Sequence, residues 1–445
     1  MTQTEAILIE GGRPTRRGPV IAILFAVGAV LIVGSVISAA GGRDGRGETG
    51  EPVSAAAETP LARLEAKVVD APDDAASWAA LGAAYVDHAR ANSDPSAYPK
   101  AERALDRSLA LQGEGNWQAL AAKGALAAGR HDFAPALEFS QQARALQPHS
   151  SFILGVIVDS LTELGRYPEA VDASQAMVDL RPDLSSYARV SYQRELHGDV
   201  DGAVAAMESA RQAASTAGDK AFALYYLGQL EWNRGNIDRA AEHYETALRT
   251  DPSAAQARAG IAKVAAARGD IASAIANYEK AVAAFPDPEA LKELGELLLV
   301  QGDTERAEER FREAATSNAD QASGGVYVDL ETALFSADHN RDLAEGMAAA
   351  RREWSRRQSV HVADALAWQL FRHGSFDEAL IYADKALALG MRNAAFHFHR
   401  AEIHHALGNH DAARADYEQV AAINPNFSFL HREQARQRLA AASAA

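Results

Sequence analysis

Alanine, glycine and proline recur in one phase along most of this chain, at intervals close to 34 residues. Ten alanines stand 33 to 37 residues apart, with glycine five residues before seven of them and proline twelve residues after five of them. Glycine readily adopts the backbone of a tight turn, and proline cannot continue a helix. The phase therefore predicts a repeated helix–turn–helix unit, which must stack on its neighbours to bury its apolar face. The alanines are Ala101, Ala136, Ala170, Ala203, Ala240, Ala274, Ala307, Ala344, Ala379 and Ala413.

The most regular unit is residues 221–254. Leu224 and Gly228 lie on its first predicted helix, Ala240 begins the second, and Pro252 ends it. This order and spacing resembles the tetratricopeptide repeat (TPR), a helix–turn–helix unit of about 34 residues. The small residues allow the two helices to approach each other closely, so we expect substitutions there to destabilise the array.

The resemblance covers residues 75–427. The first unit opens with Trp78, Leu81, Gly82 and Tyr85, which matches the W-x2-L-G-x2-Y pattern of the family. The resemblance implies an all-α fold, a solenoid of about ten repeats wound as a right-handed superhelix with one concave face.

We expect the array to occupy residues 60–427 and to end in a capping helix at 428–445, because terminal repeats need a polar outer face. The eighth unit, near residues 325–357, lacks both the glycine and the proline and departs furthest from the pattern.

A polar segment, residues 1–17, precedes a stretch without charged residues that contains the 19-residue apolar run 19–37. An apolar run of this length nearly spans a hydrocarbon core of about 30 Å. We therefore predict that residues 18–40 form a single transmembrane helix in contact with the lipid bilayer. Residues 41–59 are rich in glycine and polar residues, and are predicted to be a flexible linker.

Arginines on both sides of this run bear on its orientation. Three of them precede it and two follow it, a bias that favours a cytoplasmic N-terminus and an extracytoplasmic array. The alternative is a cleaved signal peptide, with Ser38, Ala39 and Ala40 as its small-residue cleavage site.

Composition excludes several classes of function. The net charge of −16 argues against general nucleic-acid binding, which requires a basic surface. There is no cysteine, which excludes disulfides, thiolate metal sites and cysteine nucleophiles. The sequence shows no phosphate-binding loop, GxSxG elbow or dinucleotide-binding fingerprint. We therefore expect no catalytic activity and no cofactor.

The resemblance implies that the first helix of each unit lines the concave face, where a protein or peptide partner would bind. Aromatic side chains suit such a groove because they anchor contacts at little entropic cost. The alternative is that several of these aromatics fill space between adjacent units. The predicted partner-binding residues are Phe222, Tyr225, Gln229, Trp232, Lys263, Lys292, Asp364, Trp368, Phe371, Phe398 and His405.

Histidines cluster near the C-terminus, and imidazole is a common metal ligand. His397, His399, His404, His405 and His410 do not show the i, i+4 spacing of a zinc-binding helix with a carboxylate between the histidines. We interpret them as structural or solvated histidines and predict no metal site.

The sequence as a whole favours a membrane-anchored scaffold for protein–protein interactions. Envelope-assembly factors of bacteria resemble it in having one N-terminal anchor and a TPR tail, so we expect a role in bacterial envelope assembly by analogy. The alternative is a secreted or periplasmic carrier of a ligand or metal, released by cleavage of a signal peptide.

Overall fold

The structure, a computed structural model, describes residues 59–444, which contain 22 α-helices and no strands. The predicted transmembrane helix at 18–40 and nearly all of the predicted linker at 41–59 lie outside the described residues. None of the helices within residues 59–444 is both long enough and apolar enough to span a bilayer.

Twenty of these helices form ten helix–turn–helix units, and one further helix flanks the array at each end. The helix before the array is α1 (Pro60–Asp70), and the helix after it is α22 (Arg432–Ala444). Units one to five are α2 (Ala75–Asn92) with α3 (Ala97–Leu111), α4 (Trp117–Gly129) with α5 (Phe133–Leu146), α6 (Ser151–Glu163) with α7 (Tyr167–Leu180), α8 (Leu184–Leu196) with α9 (Val200–Ala213), and α10 (Ala217–Asn233) with α11 (Ile237–Thr250). Units six to ten are α12 (Ala255–Ala267) with α13 (Ile271–Ala284), α14 (Pro288–Val300) with α15 (Thr304–Ser323), α16 (Asp329–His339) with α17 (Leu343–Arg356), α18 (Val360–Arg372) with α19 (Phe376–Leu387), and α20 (Ala394–Ala406) with α21 (His410–Ile423).

Small residues allow the close helix packing that the repeat requires. Ala240 is fully buried, and a Cβ atom added to Gly228 would lie 2.4 Å from the ring of Tyr244. The tyrosine ring therefore occupies the space that the glycine leaves open, between α10 and α11. In unit seven, Gly295 has the same relation to Phe311, again at 2.4 Å.

The C-terminal helix is shorter than the predicted segment 428–445, because it begins at Arg432. The preceding residues form turns, and within them Phe429 is only 9% exposed. The Phe429 ring packs edge-on against Tyr278 of unit six, with 6.4 Å between ring centroids. The chain leaves the array through this packed turn before the last helix begins.

The array winds back onto itself after a fixed length of chain. Hydrogen bonds join Arg130 to Gly324 and His131 to Tyr327, at sequence separations of 194 and 196 residues. Asn424 likewise donates to the Trp232 carbonyl across 192 residues. One superhelical turn thus takes between five and six units, and successive turns touch along a line that we call the seam.

The seam joins two kinds of loop. The turns between the helices of units three, four and five carry Gly165, Gly198 and Gly235. A Cβ atom at these glycines would lie 2.4 to 2.7 Å from the carbonyl oxygens of Gln358, Gly390 and Ile423, respectively. Those carbonyls lie at or just after the C-terminal ends of the second helices of units eight, nine and ten. The backbones of adjacent turns are therefore in direct contact.

The regular stacking is interrupted between units seven and eight, where the sequence pattern also departs. Helix α15 runs for 20 residues, and its second half diverges from α16. A cleft of 480 Å³ lies between them, with Ala315, Ala319 and Phe335 on its walls. The irregular eighth unit is thus preceded by an unusually long helix, and a largely apolar cleft separates it from unit seven.

Glu331 lies in this cleft, and its Oε2 has no hydrogen-bond partner among the described residues. Burial raises the pKa of Glu331 to about 7. Between the ordinary carboxyl pKa and this value, the folded state holds a proton that the unfolded state releases, so stability falls as pH rises through this window.

We therefore expect Glu331→Gln to stabilise α16 at pH 8, by on the order of 1–3 kcal/mol, and to have little effect at pH 4.5. Hydrogen exchange of the α16 amides, comparing variant and parent at each pH, measures this. Equal protection of the two proteins at pH 8 would show that the cleft does not disfavour the ionised carboxylate.

Candidate functional site

Two adjoining cavities lie on the inner face of the superhelix. The first cavity, of 280 Å³, is lined mainly by the first helices of units four to seven, α8, α10, α12 and α14. His361 and the loop before α20, which belong to the following superhelical turn, close its other side. The first helices of successive units therefore line the inner face, as the sequence predicted.

The second cavity, of 260 Å³, continues from the first. Asn233, Lys263, Glu293 and Asn393 are among the residues that line both. Its remaining walls come from α14, α16, α18, α20 with the loop before it, and the segment that follows α21. The shared lining residues join the two cavities into one passage along several units.

Six of the predicted partner-binding residues line this passage. Tyr225 and Gln229 line the first cavity; Trp232, Lys292 and Asp364 line the second. The sixth, Lys263, lines both cavities. Their role in binding a partner stays a prediction.

Trp368 and Phe398 lie elsewhere. They are 1% and 0% exposed and belong to the apolar core between units eight and ten. Trp368 stacks on Phe371, with ring centroids 4.7 Å apart, and its Nε1 donates to Asp338. These three aromatics fill space between helices, the alternative that the sequence left open.

Two further predicted residues, Phe222 and His405, contact other side chains of the array instead of lining the passage. The ring of Phe222 packs against Tyr226, with 4.7 Å between centroids. His405 Nε2 lies 2.8 Å from an Arg438 nitrogen on the C-terminal helix. Neither Phe222 nor His405 lines the two cavities.

The charged groups of the second cavity are largely paired with one another. Lys292 lies 2.9 Å from Glu289, and His399 Nδ1 lies 2.9 Å from Asp364. Burial alone would raise the pKa of Asp338, but the hydrogen bond with His431 and the charge of that ring hold the pKa well below its usual range. The acids of the second cavity are therefore compensated by cations. Arg392, which is exposed, also lines this cavity and has no ion pair among the described residues.

The first cavity differs, because two of its carboxylates have no ion pair with any residue in the described part of the chain. Lys263 Nζ pairs with Glu293 at 2.6 Å. Glu195 instead accepts a hydrogen bond from Asn233 at 2.9 Å, and Asp287 accepts one from the backbone N–H of Ala290 at 3.0 Å. Burial raises the pKa of both carboxyls, that of Asp287 to about 7. These two acids lie among the least compensated groups of the passage.

Sequence reasoning missed Glu195 and Asp287 for different reasons. Counted back from Gly198, Glu195 stands at the same place in unit four as Trp232 in unit five, so the repeat phase could have identified it. Asp287 lies in the loop before α14 and caps that helix. Its place on the inner face depends on the angle between units six and seven, which the sequence pattern does not specify.

Two of the C-terminal histidines, His397 and His399, pair with acids on neighbouring helices. His397 Nδ1 lies 2.7 Å from Asp416, and His399 is held by Asp364. Within residues 59–444, no group of three or more histidine, aspartate or glutamate side chains is arranged to hold a metal ion. These histidines connect adjacent helices of units nine and ten.

Comparison with known proteins identifies the repeat. The model of the tetratricopeptide repeat family matches residues 196–255, 225–287, 259–323 and 365–426. Residues 196–323 and 365–426 of the all-helical array therefore match the tetratricopeptide repeat. The matched ranges omit unit eight, whose sequence departs from the family pattern, and also units one to three. No curated protein matches the chain.

Solved structures of other repeat proteins are also similar to part of the chain. One is the crystal structure of MamA, with 20% identity and a TM-score of 0.30, over 38% of this chain and 97% of that one. Another is TTC0263, a thermophilic TPR protein of Thermus thermophilus, with 19% identity and a TM-score of 0.35, over 38% of this chain and 90% of that one.

Proposed function

We propose that this protein is a non-catalytic scaffold that holds an extended polypeptide segment along the inner face of its superhelix. The observation that carries the proposal is the continuous passage formed by the two cavities. Repeat arrays characteristically bind partners on such extended concave surfaces. The passage is lined by side chains from several successive units, so a partner would contact many units at once.

The proposed partner is a polypeptide because the passage is elongated and mixed in character. Tyr225 and Trp232 supply aromatic surface, while Gln229 and Asn233 supply groups that can hydrogen-bond a peptide backbone. Aromatic surface with adaptable polar groups is typical of peptide-binding grooves.

Photocrosslinking in cells tests this proposal. A photoreactive amino acid at Tyr225 or Gln229 should capture a defined polypeptide, identifiable by mass spectrometry. The matched control is Glu418, which is exposed on the second helix of unit ten. If the inner positions capture no more than Glu418 does, the inner face does not hold a polypeptide.

We also propose that residues 18–40 anchor the protein in a membrane, with the array on the extracytoplasmic side, where it acts in bacterial envelope assembly. This part rests on the uncharged run and the flanking arginines of the sequence. External protease should degrade the array in intact spheroplasts. An array that is degraded only after lysis would place it on the cytoplasmic side.

A further inference from the structure

We propose that the first cavity is a binding site for a lysine or arginine side chain of the held segment. This inference rests on the proposed function, because it assumes that a polypeptide lies in the passage. It adds the chemical character of that polypeptide: a basic residue must face units four to seven.

The charges on the wall of the cavity point to a cation. Four acids line it, namely Glu195, Asp287, Glu289 and Glu293, against the single lysine Lys263. Lys263 is already paired with Glu293, and Glu289 is paired with Lys292 of the second cavity. Glu195 and Asp287 remain without an ion pair in the described part of the chain. Both side chains are partly buried. A carboxylate that is shielded from water and has no cation beside it is unfavourable, so a ligand that supplies a cation relieves that cost.

His361 gives an independent indication of a missing partner. It lines the cavity from the adjacent superhelical turn and is only 7% exposed. Its Nδ1 has no hydrogen-bond partner among residues 59–444. Burial and the nearby charge of Arg357 lower the pKa of His361 to about 4, so the ring is neutral at pH 7. A neutral imidazole has one nitrogen that accepts a hydrogen bond, which an ammonium or guanidinium group can donate.

Tyrosine rings form the apolar part of the same wall. Tyr192, Tyr225 and Tyr226 line the cavity. The rings of Tyr225 and Tyr226 stand nearly perpendicular, with 5.1 Å between centroids. Aromatic faces attract cations and also pack against the methylene stem of a lysine or arginine. The cavity thus offers apolar surface for the stem and carboxylates for the charged end.

The form of the passage favours a side chain of a longer segment over a free small cation. The first cavity is open to the second, so a backbone lying along the passage can place one side chain against Glu195 and Asp287. The second cavity, with its internally paired charges, would receive the neighbouring uncharged residues.

The test uses the full-length purified chain and four fluorescent peptides that differ only at two central positions. These positions hold lysine, arginine, glutamine or glutamate in an otherwise uncharged sequence. Fluorescence anisotropy at low ionic strength should show the lysine and arginine peptides binding at least about tenfold more tightly than the other two.

The variant Glu195→Gln with Asp287→Asn removes both charges and keeps the shapes. Glutamine can still accept the hydrogen bond from Asn233, and asparagine is a good helix N-cap. This variant should lose most of the preference, to about threefold or less. The control, Glu242→Gln with Glu418→Gln, removes two exposed charges and should keep it.

Each result decides the proposal. Equal binding of the lysine and glutamine peptides, no binding of either basic peptide, or an unchanged preference in the double variant overturns it. If Tyr225 nevertheless captures a polypeptide in cells, the scaffold function stands and only the cationic specificity fails. If Tyr225 captures nothing as well, both proposals fail.

Discussion

Replacing Arg357 by methionine will separate the two superhelical turns of the array. Its Nη1 bonds Glu163 of unit three at 2.6 Å, and its Nε bonds Glu353 of unit eight. All three side chains are 3% exposed or less. Removing the cation leaves the buried carboxylate of Glu163 without an ion pair, whereas Glu353 keeps its pair with Arg356. Burial already raises the pKa of Glu163. We expect a loss of about 3–5 kcal/mol, the usual cost of breaking a buried ion pair.

Hydrogen exchange at the amides of α6 and α18 measures this loss, and small-angle scattering measures the accompanying increase in maximum dimension. The control is Arg352→Met on α17, the helix that ends one residue before Arg357. Arg352 pairs with Asp329 and Glu345 of its own unit and is 48% exposed, so its loss should cost less than about 1 kcal/mol. Similar protection in the two variants would show that Arg357 does not hold the turns together.

The carboxylate of Glu163 allows a second check. Adding Glu163→Gln to Arg357→Met removes the uncompensated charge and leaves the pair of Glu353 with Arg356 intact. The double variant should regain much of the lost protection, because a buried ion pair is often replaceable by neutral groups. The seam is also linked to the first cavity. His361 lines that cavity from the following turn, so Arg357→Met should also weaken binding of the lysine peptide.

The repeat itself could be predicted because its signal is local. Gly228 and Ala240 report close helix packing within one unit, and Pro252 reports where a helix ends. Every unit has these requirements, so the repeat can be recognised even where a single unit lacks the glycine or the proline. The resemblance to the tetratricopeptide repeat, which rests on this periodicity, implied that first helices line the inner face.

The seam could not be predicted, because its contacts join residues that have no fixed relation in the repeat pattern. Gly198 and Gly408 hold the same position in units four and ten, with the same φ of 76°. Only Gly198 meets the next turn, and nothing lies within 4 Å of a Cβ atom at Gly408. Which glycine is covered depends on the superhelical pitch, to which every interface between units contributes.

The candidate site could be predicted only in part, because the repeat pattern does not specify how distant units pack together. Tyr225 and Gln229 follow from the repeat phase, but the phase does not tell an aromatic that lines the passage from one that fills the core. Trp368 is buried because α16, α18 and α20 all pack around it in the irregular region after unit seven. His361 faces the first cavity only because the seam brings α18 beside the inner face.

Gly198→Ala will disrupt the seam by a steric route. The new Cβ atom would lie 2.4 Å from the carbonyl oxygen of Gly390, a distance that folded proteins do not tolerate. That oxygen belongs to the backbone, so it cannot move aside as a flexible side chain can. The left-handed φ costs an alanine about 1–2 kcal/mol. Overpacking adds about 1–3 kcal/mol or forces the turns apart.

Gly408→Ala separates the cost of the left-handed φ from the steric clash. Its φ is the same, so it pays the conformational cost alone, and its surroundings are open. We expect Gly408→Ala to lower the thermal midpoint slightly. Gly198→Ala should lower it more and should also increase hydrogen exchange at residues 388–391, which are about 190 residues away in sequence. Residues 388–391 are too distant in sequence to be affected by strain transmitted along the chain from Gly198. Faster exchange there would therefore show that the seam transmits the effect. Unchanged exchange would show that the turns do not touch.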